Sequence, residues 1–325
     1  MPKILIIRFS SIGDIVLTTP VIRTVKNQLN AEVHFLVKPA FHAILSHNPY
    51  IDHLISYTKE NTSIIDQLKA ENYDCVIDLQ KNVKSYTLTQ RLGIKTYTFD
   101  KLNVKKWIFV NTKLNLLPDK HIVHRYFEGI EPLGVKDDGL GLDFFWDIAE
   151  EDKALSMMEG IIKYQILILG ANYYTKRIPE EICRKIIEKS EWTTVLIGGK
   201  DVEQVANKLS DEYPDATLNF VGKVNINVSA ALIKHAKRII TGDTGMMHIA
   251  AALQKDMFVL WGNTVPDFGM YPYYGEKSEK SATYMEVLGL GCRPCSKLGY
   301  NTCPKSHFKC MMDQDMSPLT KKKEH

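Results

Sequence analysis

Three short stretches bring together residue types that can do chemistry. In "RFSSIGDIVLTTP" (8–20), Arg8, Ser10, Ser11, Gly13 and Asp14 follow directly on the apolar run "KILII". A carboxylate placed where a strand ends and a helix begins is kept ionised by the helix dipole and can accept a proton. The same spacing also suits a plain helix cap, with Ser11 or Asp14 satisfying first-turn amides. Arg8 suits an anionic substrate group, or an acid of this chain. In "GANYYTKRIPEE" (170–181), Thr175, Lys176 and Arg177 place a hydroxyl and two cations ahead of a helix opened by Pro179. Cations beside free backbone N–H groups make an anion site fit for a diphosphate; a basic surface loop has the same composition.

The third stretch, "ITGDTGMMHIAAAL" (240–253), reads as a strand, a tight turn over Gly242, Asp243, Thr244 and Gly245, and a helix carrying His248 in its first turn. Successive N–H groups in such a turn can face a ligand. Asp-Thr-Gly is also the turn of aspartic proteases, but their chemistry needs two such turns sharing a proton. Here there is one copy, and a helix follows it. Glu203, one turn into a helix after "LIGG", can accept ribose hydroxyls or simply face solvent.

Cys292, Cys295, Cys303 and Cys310 have the spacing C-x2-C-x7-C-x6-C, with His307 between the last two. Four thiols so close in a chain with cytoplasmic features read as ligands of a structural zinc, or as a compact reduced cluster. Cys75 and Cys183 lie alone in apolar runs, as buried free thiols do. "DQD" (313–315) matches a metal-holding D-x-D only formally, since no strand precedes it.

The elements that must position these groups alternate. "KILII" (3–7), "EVHFLV" (32–37) and "YDCVIDLQ" (73–80) read as strands. Helical patterns over "PVIRTVKNQL", "SIIDQLKAEN", "KSYTLTQRLG" and "HIVHRYFEGIEPLGV" follow or separate them. The stretch "KDDGLGLDFFWDIAEED" has no clear period and reads as a linker. Beyond it, strands at 164–170, 193–199, 238–243 and 257–262 alternate with helices again. The pattern predicts an α/β chain of two Rossmann-like, doubly wound domains, 1–155 and 156–325, with ligands at the carboxyl ends of strands.

Composition narrows the partners. The 325 residues are 45% hydrophobic and 24% charged, with a net charge of +3, which gives no argument for nucleic acid. From Lys81 to Arg125, ten Lys and Arg stand against Asp100 and Asp119. This is a solvated surface, or a face for an anionic acceptor or an anionic membrane leaflet. No apolar run reaches the length of a membrane span and the N-terminus has no signal-peptide pattern, so a cytoplasmic location is expected. "KKKEH" is a basic tail. The first strand leads into a loop with Gly13 alone instead of G-x-G-x-x-G, and no P-loop occurs, which argues against NAD-dependent chemistry.

Taken in order, "ILIIRFSSIGDIVLTTPVIRTVK", "YDCVIDLQKNVKS", "GANYYTKRIPEE", "TGDTGMMHIAAAL" and "PC…CPKSHFKC" resemble blocks of the ADP-heptose:lipopolysaccharide heptosyltransferases, glycosyltransferase family nine. The resemblance implies a GT-B fold, two Rossmann-like domains facing across a cleft. It implies inverting transfer of a heptose or related sugar from an ADP-sugar, with no catalytic metal or other cofactor, to an anionic lipid-linked saccharide of the lipopolysaccharide core. On this resemblance Asp14 is the catalytic base, Lys176 holds the donor phosphates and Glu203 the ribose. Asp243 to His248 lie against the donor diphosphate and sugar, and peripheral contact with the inner membrane face is implied for the acceptor. Where the family often has G-P-T, this chain has Gly262, Asn263 and Thr264. The alternative is a GT-B enzyme using another nucleotide sugar for surface glycan. A non-catalytic zinc- and nucleic-acid-binding protein is a further, different class.

Overall fold

The computed structural model describes residues 1–58, 61 and 63–319. The "KKKEH" tail lies outside the described residues. Two compact units are present. Unit 1 comprises 1–101, 120–147 and 273–278; unit 2 comprises 102–119, 148–272 and 279–325.

Unit 1 is built on five parallel strands: β1 (Lys3–Ile7), β2 (Glu32–Val37), β3 (His53–Ser56), β4 (Cys75–Asp78) and β5 (Thr96–Thr98), in the order β3-β2-β1-β4-β5. Ile4 to Ile7 are at most 1% exposed, because β1 is covered on both faces, as parallel strands with helical crossovers are. The helix Thr19–Leu29 starts with Pro20 in its first turn and stops at Asn30, which takes a left-handed conformation at φ 47°. Arg23 on that helix is 3% exposed. It donates to both oxygens of Asp138 at 2.8 and 2.7 Å, to the Gly141 carbonyl at 2.9 Å, and to Asp143. The stretch read as a linker is thus tied to unit 1 at its start, and its end forms the helix Ile148–Met157 of unit 2.

Unit 2 carries six parallel strands: β6 (Tyr164–Ile168), β7 (Thr193–Ile197), β8 (Thr217–Asn219), β9 (Arg238–Gly242), β10 (Met257–Trp261) and β11 (Ala282–Glu286), ordered β11-β10-β9-β6-β7-β8. In both sheets the chain winds outward from its first strand to one edge, then returns to wind toward the other. The switch points lie between β1 and β4 and between β6 and β9, where crossovers leave in opposite directions and open a crevice at the carboxyl ends. The expected α/β class with two Rossmann-like sheets is therefore present. Four strands that the sequence pattern did not reveal, β3, β5, β8 and β11, are the edges.

Candidate active site

The Arg8–Asp14 loop leaves β1 at the switch point of unit 1, beside the end of β4. Arg8, 5% exposed, pairs with Asp14 Oδ1 at 2.5 Å. It also donates to the Ser10 carbonyl at 2.9 Å and to the Leu79 carbonyl. Burial opposes the guanidinium charge, but Asp14, helped by Asp78, holds its pKa above the ordinary value. Ser11 caps the short helix Ile12–Val16, and Asp14 Oδ2 accepts from the Ser11 amide at 3.2 Å and its hydroxyl at 2.7 Å. Asp14 therefore serves the cap and also faces Arg8. Its side chain keeps 22% exposure, so the carboxylate is not sealed from solvent. Gly13 is buried within that first turn.

The exit of β4 braces this loop. Gln80 Oε1 accepts from the Phe9 amide at 2.8 Å. The buried Asp78 accepts from the amides of Gln80 and Lys81 at 2.9 and 2.8 Å and from the Ser85 hydroxyl at 2.7 Å. A hollow beside the loop is lined by Phe9, Ser10, Lys38, Asn82, Val83 and Lys84. Sequence reasoning passed over Tyr126, from the helix Ile122–Ile130. Its ring packs edge-to-face on Phe99 at 4.6 Å, and it is fully buried with no hydrogen-bond partner for its hydroxyl. Burial pushes its pKa up to about 12, against a lowering by Arg8 and with a smaller rise from Asp14. An aromatic on the apolar face of a helix reads as core; only the fold turns its hydroxyl toward charge.

In unit 2 the second switch point carries the cations. Lys176 Nζ, on the turn Tyr174–Lys176 that follows β6, lies 2.7 Å from Asp243 Oδ2 at the end of β9. Thr264 Oγ1, past β10, donates to the same oxygen at 2.7 Å. Glycines allow the approach: a Cβ on Gly242 would stand 2.4 Å from the Lys176 carbonyl oxygen, and one on Gly262 2.6 Å from that of Thr175. Thr175, buried, is locked to Tyr300, accepting its amide at 2.8 Å and donating to its carbonyl at 3.1 Å. Thr244 caps the helix Gly245–Ala252 by accepting from the Met247 amide at 3.3 Å. The first amides of that helix thus start next to Asp243, and His248 is 3% exposed within it.

Two expected donor residues stand apart from this group. Arg177 turns to the Ala171 carbonyl at 3.0 Å and to the Asp201 carboxylate. Glu203 is exposed at the start of the helix Glu203–Glu212, beside a surface hollow shared with Lys200 and Gln204. The cysteines have varied surroundings. Cys310 is buried in the unit 2 core with Met311 and Ile182, and Cys303 packs against that core. Cys292 Sγ lies 3.9 Å from His307 Nε2. Burial, then the neighbouring Cys292, pushes the Cys295 thiol up to about 11. Among the described residues, three or more metal-ligating side chains converge at Glu32, His34 and His53, not at these thiols.

A conserved-family model agrees with this architecture. The model of glycosyltransferase family 9 (heptosyltransferase) matches residues 61–298. The chain belongs to glycosyltransferase family 9. The match takes in the Lys176–Asp243 group and begins after the Arg8–Asp14 loop. Lipopolysaccharide heptosyltransferase 1 of Campylobacter coli is 28% identical over 293 residues, 81% of this chain and 84% of that protein. The structure of E. coli ADP-heptose lipopolysaccharide heptosyltransferase II covers 96% of this chain and 98% of its own, at 20% identity and a TM-score of 0.69. That of E. coli heptosyltransferase WaaC with ADP-2-deoxy-2-fluoro heptose covers 87% and 92%, at 23% identity and a TM-score of 0.65. The family 9 protein is a glycosyltransferase of the GT-B fold class.

Proposed function

We propose that this family 9 glycosyltransferase transfers a heptose from ADP-heptose to an anionic lipid-linked saccharide of the lipopolysaccharide or lipooligosaccharide core, with inversion and without a catalytic metal. The observation that carries the reading is the Lys176–Asp243–Thr264 group at the mouth of unit 2's switch point, next to a helix N-terminus. A cation and free amides there suit a diphosphate leaving group. ADP and an ADP-heptose analogue bound to E. coli WaaC support the choice of donor.

The roles divide between the units. Asp14 takes the proton of the acceptor hydroxyl as its oxygen bonds to the anomeric carbon. The bond from that carbon to the diphosphate breaks, and its electron pair leaves on the diphosphate, where Lys176 and the amides of 244–246 receive the charge. A carboxylate facing Arg8 is a weak base, which is sufficient when proton transfer lags bond cleavage in an oxocarbenium-like transition state. Arg8 orients Asp14, and Ser10, Ser11 and Gly13 shape its loop. Thr175 and Arg177 fix the turn bearing Lys176, while Glu203, on the same sheet edge, reaches the ribose. Lys38 and Lys84 at the hollow beside Ser10 suit an acceptor carboxylate or phosphate.

The acceptor's lipid anchor calls for contact with the cytoplasmic face of the inner membrane. The helix Asn103–Thr112 and the residues after it leave Val104, Trp107, Leu114 and Leu116 exposed, beside Lys105. Such a basic apolar surface suits an anionic leaflet. Among the described residues no helix is long and apolar enough to cross a membrane. The deciding assay follows nucleotide release from ADP-heptose and a panel of other activated sugars, with defined lipid acceptors and with chelator present. NMR of the product reads the anomeric configuration. Release from ADP-heptose with an inverted product is expected; preference for another nucleotide sugar, retention, or abolition by chelator each overturns its part of the reading.

A further inference from the structure

Lys3, Glu32 and His53 begin β1, β2 and β3, at the end of unit 1's sheet opposite the Arg8–Asp14 loop. The parallel register sets Lys3 beside Glu32 and His34 beside His53. The two-residue period of a strand puts Glu32 and His34 on one face. Glu32 Oε1 lies 2.9 Å from His34 Nε2, and the His34 and His53 rings are 4.5 Å apart. One ligand atom from each of the three residues lies within 4.8 Å of the others. His34 is 1% exposed, and its second nitrogen, Nδ1, is 2.8 Å from the Tyr73 hydroxyl.

We propose that Glu32, His34 and His53 form a binding site for a divalent transition-metal ion of the Zn2+ type, separate from the transfer site. Two imidazoles and one carboxylate are a donor set suited to Zn2+, Co2+ or Ni2+ rather than to Ca2+ or Mg2+. Tyr73 supplies the outer contact that such sites use. Without a metal, Nε2–H donates to Glu32 Oε1 and Nδ1 accepts from the Tyr73 hydroxyl; an ion bound at Nε2 would replace that proton, and Nδ1–H would then be donated to the Tyr73 oxygen. His53 is exposed and leaves an entry path and room for water as a fourth ligand.

One group competes. Lys3 Nζ is 3.2 Å from Glu32 Oε1, but it is also 2.9 Å from Glu71 Oε2, which can keep the ammonium when Glu32 turns to a metal. The bound ion would cross-link the four-residue edge strand β3 to β2, so it acts on stability and not on turnover.

The test uses the full chain carrying Cys292→Ser and Cys295→Ser, stripped with chelator, then titrated with Zn2+ by calorimetry and with Co2+ by visible absorption. One saturable equivalent and a rise in melting temperature are expected. His53→Ala, at an exposed position, should weaken binding by about tenfold or more and abolish the thermal shift, and Glu32→Gln should do the same. Equal affinity in the parent and both variants, or no saturable binding in the parent, overturns the site.

Discussion

Lys176 Nζ stands 2.7 Å from Asp243 Oδ2, joining the loops after β6 and β9 across the point where unit 2's sheet reverses its winding. The two strands are neighbours, yet the residues are far apart in the chain, so the pair exists only because the crossovers part there. Asp243 neutralises the lysine and, with Thr264, holds it at the carboxyl edge. Lys176→Ala should weaken ADP binding by about 10- to 100-fold, the worth of one charge-assisted hydrogen bond. Calorimetry with ADP reads this directly, and unchanged affinity rejects the lysine as a phosphate ligand.

Asp14→Asn keeps the size of the side chain and much of the cap while removing its basicity. Turnover should fall by about 10²- to 10⁴-fold, the usual cost of losing a general base, while ADP affinity stays the same. Arg8 retains its bonds to the Ser10 and Leu79 carbonyls, so a melting curve run in parallel separates loss of chemistry from loss of fold. Near wild-type turnover would end the proposed role.

Tyr126 carries a buried hydroxyl without a hydrogen-bond partner. Removing an unsatisfied group restores what burial cost, so Tyr126→Phe should leave stability unchanged or raise it by about 1 kcal/mol. Urea denaturation tests this. A loss of about 2 kcal/mol or more would mean that the hydroxyl is satisfied in solution.

Arg23 is the buried hub of unit 1's other charge group. Arg23→Ala leaves Asp138 and Asp143 without their cation and should cost about 3–5 kcal/mol. Burial raises the pKa of Asp138, but the Arg23 hydrogen bonds outweigh it and hold the group below its ordinary 3.8. Its contribution is therefore complete above that value and is lost as pH falls through the depressed one. Asp143, raised chiefly by burial despite Arg23, has the opposite sign: its stabilising contribution is present below its ordinary value and is lost as pH rises through the raised one. Urea titrations from neutral to acid pH should show a flatter acid limb for Asp138→Asn than for wild type; identical limbs would reject the assignment.

The central strands were legible because both faces of a parallel strand are buried, which leaves nearly continuous apolar runs such as "KILII" and "YQILI". The edges were not. β5 and β8 are three residues each, and β11 is only partly buried. The helix Asn103–Thr112 was hidden for a related reason: within it only Lys106 is buried, so no apolar stripe marks it. The cysteine spacing suggested one ligand set; the fold places Cys310 in the unit 2 core with Cys292, Cys295 and Cys303 near enough to add to the rise that burial gives its thiol pKa.

From the sequence alone came the alternation that makes two doubly wound sheets, the family blocks, and the residue types at each strand exit. Local pattern is enough for these, because burial period and turn chemistry are short-range. Only the tertiary structure decided that Arg8 spends its charge on Asp14, that Lys176 meets Asp243 while Arg177 turns to Asp201, and that Glu32, His34 and His53 share a face. Each of these depends on strand order and register, which join residues that are remote in the chain and which no local propensity encodes.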